Sequence, residues 1–149
     1  MRSINVTLSV CLIAVTVGTS SVHSEIVFRH ALDNSPLEIK RGPTEVETDA
    51  VKKFRATGTN EYLQQEQALA QGKRLYQTHC QACHLPDGSG RLGPSLIGDK
   101  WIRERVATDV GMFEILYGGA SGAMQSFAKR GMSQDDMLKI IAYVRSLKK

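Results

Sequence analysis

The sequence predicts an all-α fold, and three segments carry that prediction. EYLQQEQALAQGKRLYQTHC, residues 61–80, is a run of good helix formers, with Ala68, Gly72, Leu75 and Tyr76 on one side at i, i+4, i+7 and i+8. The clearest helix is the last: Ser133 caps it, Asp136 stands at N3, and Met137, Ile140, Ile141, Val144 and Leu147 recur at helical spacing. Its basic end (Arg145, Lys148, Lys149) suits the helix dipole. A medium helix is expected around 108–117, with Thr108 or Asp109 as cap and Phe113, Leu116 and Tyr117 apolar, ending at Gly118-Gly119.

Other elements follow in chain order. MRSINVTLSVCLIAVTVGTSSVHS has a basic residue, an apolar run and a small, polar end, the layout of a secretory signal peptide over residues 1–24. Val22 and Ser24 suit a cleavage site before Glu25. A retained anchor is the alternative, but the run is short for a span of roughly 20 residues and is diluted by polar side chains, so the mature chain is expected not to insert in a membrane. Residues 25–59 read as an extension packed on the core. It holds a short extended pair near Ile26 and Phe28, a turn at Asp33-Asn34-Ser35-Pro36, and two helical turns from Thr48 to Ala56, with Val51 and Phe54 on one face and a stop at Gly58. The compact domain occupies residues 60–149. Within it, Gly72 sits in a helix interior and suggests a close helix crossing, with a flexible kink as the alternative.

Charge is divided unevenly. Residues 25–66 carry 6 basic and 8 acidic side chains, whereas residues 67–149 carry 12 and 7. The bases are scattered rather than massed, and an export signal argues against nucleic acid; an acidic protein surface is the better partner. Arg91, Lys100, Arg103, Lys129 and Arg130 are candidates for steering such a partner, with a plain solvated surface as the alternative for each.

Cys80-Gln81-Ala82-Cys83-His84 supplies the chemistry. Cys-x-x-Cys-His is the attachment pattern for a c-type haem: two thiols bond the vinyl groups, and the following histidine is carried under the iron. Covalent attachment keeps the group from being lost in a dilute extracytoplasmic space. Zinc would need further ligands that the chain supplies only through His79, His30 and scattered acids. A thioredoxin-like pair would need a βαβ setting, and these cysteines end a helix. His79 precedes the first thiol and would have to reach backward, so it reads as a bystander.

The iron's sixth position decides the function. A six-coordinate iron moves electrons, and an open one binds ligands or performs chemistry. Met112, Met124, Met132 and Met137 compete for it. Met137 and Met112 lie on helices and Met132 beside a cap, whereas Met124 falls in the Gly-rich loop GGASGAMQSFAKRG, able to fold close over a flat ring. A thioether there favours the ferrous state.

Taken together, the helix, the Cys-x-x-Cys-His motif, the Gly/Pro loop, the methionine loop and the closing IIAYVRSL resemble a class I cytochrome c. IVFRHALDNSPLEI, GRLGPSLIGDKWI and ATDVGMFEILYGGASGAMQSF narrow the resemblance to the cytochrome c-L family over nearly the whole mature chain. That resemblance implies one covalent haem (heme c) on Cys80 and Cys83, iron ligation by His84 and Met124, and a periplasmic location. It also implies that Pro94 offers its carbonyl to the His84 Nδ1 hydrogen, and that Trp101 and Tyr117 flank the haem pocket; for Trp101 a plain core aromatic is the alternative. The function implied is electron transport in methanol utilization, without catalysis: uptake of one electron at a time from a pyrroloquinoline quinone methanol dehydrogenase, and delivery to a downstream cytochrome c by a monomer. Gln125 departs from the proline that often follows the ligand methionine. The basic balance departs from the acidic character of partners of the calcium-containing dehydrogenase and looks more like a partner of the lanthanide-dependent form. A general-purpose periplasmic carrier and an open-iron, ligand-binding haem domain are the alternative functions.

Overall fold

The computed structural model describes residues 26–98 and 101–147. The expected leader, Lys100, and the basic pair Lys148 and Lys149 lie outside them. The described residues form five α-helices: α1 (Asp49–Thr57), α2 (Glu66–His79), α3 (Gln81–His84), α4 (Asp109–Gly118) and α5 (Gln134–Ser146). Short 3-10 turns occupy Glu61–Gln64, Glu104–Ala107 and Ala128–Arg130. The only strand-like pairing among the described residues is one antiparallel bridge between Arg29 and Pro36. The fold is all-α, as its helical periodicities predict. No helix among the described residues is long and apolar enough to cross a membrane.

Local chemistry explains where these helices begin and end. Thr48 accepts the Val51 N–H at the start of α1, Thr108 that of Gly111 in α4, and Ser133 that of Asp136 in α5. Each hydroxyl satisfies a donor that the first helical turn leaves open. Gly58 ends α1 in the left-handed region, at φ 72°. One boundary departs from expectation. The run from Glu61 breaks at Gln65, whose backbone is extended, so a 3-10 turn precedes α2. The cause is tertiary: Asn60 accepts the Tyr62 N–H and donates to Leu138 O in α5, while the Tyr62 hydroxyl donates to Asp135.

Helices α2 and α5 cross at Gly72, where a Cβ would collide with the Lys139 carbonyl. This close approach is the one expected from a helix-interior glycine. Tyr76 and Tyr143 form a tilted ring pair beside it, centroids 5.3 Å apart, and Met137, Ile140, Ile141 and Val144 of α5 are buried in the same core. A second part of the core is aromatic. Phe28 and Phe54, before the 3-10 turn, meet Phe113 of α4 at centroid distances of 5.6 and 5.0 Å. Residues 26–57 therefore share their hydrophobic interior with the helices that follow. The turn at 31–35 is held by Asp33, which accepts the Ser35 N–H and hydroxyl, and by the Leu37 N–H donating to Phe28 O.

Candidate functional site

At the end of α2 the chain makes one further turn, α3, and that turn arranges the Cys-x-x-Cys-His residues. Cys80 O accepts the N–H groups of both Cys83 and His84, at 3.1 and 2.9 Å. Residues i, i+3 and i+4 of a helical turn share a face, so both thiols and the imidazole project on one side. Cys80 is buried and Cys83 half-buried, and neither is in a disulfide. Burial, with the neighbouring Cys83 adding, pushes the Cys80 thiol up to about 12.

Downstream backbone folds back to grip the histidine. Arg91 N–H and Gly93 N–H both donate to Cys83 O, and Gly90 N–H donates to His84 O. The loop so formed brings Pro94 O to 2.8 Å from His84 Nδ1. A carbonyl oxygen only accepts, so Nδ1 carries the proton and Nε2 keeps its lone pair free for a metal. The other side of the turn is held by Tyr76, fully buried, whose hydroxyl donates to Leu85 O at 2.7 Å. Burial raises the Tyr76 phenol far above its ordinary range, so it stays a donor.

Met124 stands on a separate loop after α4, half-buried against the core cluster. Ala120 N–H donates to Met124 O at 2.7 Å, and Gln125 N–H to Ala123 O. The other methionines are otherwise engaged: Met137 and Met112 are buried in α5 and α4, and Met132 packs beside the α5 cap. Trp101 lies under Arg145, whose guanidinium is 5.4 Å from the ring centroid and also holds Asp109. The Tyr117 ring stacks on Phe113, and its hydroxyl both accepts from Lys40 N–H and donates to Lys40 O. Cys80, Cys83, His84 and Pro94 are thus assembled by one helical turn and its return loop, while Met124 stands on the loop after α4, Tyr117 within α4 and Trp101 under Arg145 of α5. Arg103, a candidate for steering, is half-buried and donates to Ala31 O at 2.6 Å. Arg91 and Lys129 are exposed, and Arg130 covers the Phe127 ring.

Sequence reading missed Gly93 and Ser126. Gly93 backs the His84 imidazole, and Ser126 donates to Tyr117 O. The residues present fit a covalent haem: two unpaired thiols on one face of a turn, and an imidazole oriented with Nε2 free. Among the described residues no group of three or more His, Cys, Asp or Glu side chains could hold a bare metal ion, so the zinc alternative has no ligand set there.

Residues 67–144 match the protein family described as cytochrome c oxidase, cbb3-type, subunit III. Fold, motif and match define the class, and the chain belongs to the class I c-type cytochromes. Among solved structures, cytochrome cL of the marine methylotroph Methylophaga aminisulfidivorans superposes with a TM-score of 0.78 at 35% identity, over 82% of this chain and 81% of that one. Cytochrome cL of Hyphomicrobium denitrificans gives 0.78 at 33%, over 85% and 76%. Within the class, the chain is related to cytochrome c-L. Cytochrome c-L of Methylorubrum extorquens is 36% identical over 129 residues, 86% of this chain and 65% of that protein. The cbb3-type cytochrome c oxidase subunit CcoP of Rubrivivax gelatinosus is 33% identical over 82 residues, 54% of this chain and 26% of that protein. The chain spans less than two thirds of the length of either of these two relatives.

Proposed function

We propose that this chain is a periplasmic one-electron carrier, exported by the leader of residues 1–24, with residues 25–59 as an extension and 60–149 as the cytochrome domain. Cys80 and Cys83 anchor the haem, His84 and Met124 ligate its iron, and Pro94 fixes the His84 ring. The observation that carries the reading is the 2.8 Å approach of His84 Nδ1 to Pro94 O directly after the two thiols. The haem supplies a site that takes up and returns a single electron. The protein's own contribution would be to hold the His84 and Met124 side chains in place, so that little reorganises on electron transfer, and to present basic groups such as Arg91 and Lys129 to an acidic partner.

Relatedness to cytochrome c-L supports a quinone-dependent methanol dehydrogenase as donor and a smaller cytochrome c as acceptor. The basic excess over residues 67–149 favours the lanthanide-dependent form of that donor. Stopped-flow mixing of the oxidised protein with each metal form of reduced dehydrogenase tests this. Rapid, salt-sensitive reduction is expected, faster with the lanthanide form. Negligible reduction by both would leave the second reading, a general carrier, which the match of residues 67–144 to an oxidase subunit family favours.

A further inference from the structure

We propose that Tyr117 and Ser126 are positioning residues for Met124, and that the segment before α1 helps moor the iron's sixth ligand through Lys40. This rests on Met124 being that ligand. The loop carrying Met124 is closed at its neck and bare at its tip. At the neck, Phe127 N–H donates to Leu116 O at 2.9 Å and the Ser126 hydroxyl donates to Tyr117 O at 2.5 Å. Ser126 Oγ also accepts the Lys129 N–H, at 3.1 Å. Gly119 sits at φ 85°, and a Cβ there would stand 2.8 Å from Ser126 N, so the entering and leaving backbones touch. At the tip, residues 121–123 are exposed and a Cβ on Gly122 would meet nothing within 4 Å. Inside the loop Met124 is held by the Ala120 N–H donated to its carbonyl and by packing on the core, and the bonds of the neck fix where that loop stands.

The neck is in turn fastened to the segment before α1. The Tyr117 hydroxyl bonds both the N–H and the carbonyl of Lys40, at 2.8 and 3.0 Å, while Leu37 packs on Gly118. Swinging Met124 away from the iron would strain or break these bonds, so they oppose opening. An external ligand that needs the open loop binds with an apparent affinity scaled by the open fraction.

Imidazole titration of the ferric protein, followed by loss of the thioether-to-iron charge-transfer band, reads that fraction. Tyr117→Phe, which keeps the ring, and Ser126→Ala are each expected to bind imidazole about 3–10-fold more tightly. Ser126→Thr restores the hydroxyl and should return toward the original affinity. Tyr62→Phe removes a hydroxyl far from this loop in sequence and should lower stability while leaving imidazole affinity unchanged. Wild-type affinity in both neck variants, or an equal gain in Tyr62→Phe, overturns the proposal. Met124→Ala separates the two readings: it should lack the band altogether, and a band retained there would overturn the ligand assignment itself.

Discussion

Gly93 lies flat against the imidazole of His84: a Cβ on Gly93 would stand 2.5 Å from Cε1, 2.8 Å from Nδ1 and 2.9 Å from Nε2. The ring has no easy way to give, because Pro94 O holds its Nδ1 from the adjacent residue. Gly93→Ala is therefore expected to tilt the imidazole, lengthen the Pro94 contact and cost about 1–3 kcal/mol through overpacking. The ferric absorption spectrum should shift from low-spin toward mixed-spin. An unchanged spectrum with unchanged urea midpoint would mean that the ring has room to move.

The crossing of α2 and α5 makes a parallel prediction about stability alone. At Gly72 the obstruction is the Lys139 carbonyl, part of α5 itself, rather than the end of a flexible side chain. Gly72→Ala raises helix propensity by up to ~1 kcal/mol but must push the helices apart. Net destabilisation of about 2 kcal/mol is expected in urea unfolding, against the gain that propensity alone would give.

Glu114 and Arg105 should respond unequally to substitution. The Glu114 carboxylate is almost wholly buried, accepts from Arg105 Nε and Nη2 and from the Arg29 N–H, and so ties α4 to the segment before α1. The Arg105 side chain is 45% exposed. Glu114→Gln leaves a guanidinium that can turn to water, at a cost of about 1–2 kcal/mol. Arg105→Ala strands a buried carboxylate and should cost about 3–5 kcal/mol. Equal losses in chemical denaturation would contradict this asymmetry. Hydrogen exchange at the Arg29 amide should accelerate in both.

How much of this was legible in the sequence follows the range of each interaction. The caps Thr108 and Ser133 act within their own first turn and were readable, as was the stop at Gly58, whereas Thr48 read as the first helical residue and proves to be the cap. The Cys80 to His84 group was readable for the same reason, since one turn of helix assembles it. The break at Gln65 was not, because it depends on Tyr62 reaching Asp135, 73 residues away. Arg103 read as a surface cation and turned out to hold Ala31, 72 residues earlier. Gly93 and Ser126 carried no signal of their own: one matters because of an imidazole brought over it, the other because of a helix carbonyl.

Asp135 gives the last prediction, in acid. Burial would raise its pKa, but hydrogen bonds from Lys139, Tyr62 and Thr48 outweigh that and hold it below the ordinary carboxylate range. The folded state therefore binds this proton more weakly than the unfolded chain does. The contribution is fully present above the unfolded carboxylate pKa of about 3.9 and is lost as pH falls through the lower folded value. The three donors span α5, the 3-10 turn and the α1 cap, so protonation loosens all of them together. Asp135→Asn should lower stability at pH 7 and flatten its decline below about pH 4. Thermal unfolding across pH 2–7 checks it, and parallel curves for the two proteins would assign the acid sensitivity to other carboxylates.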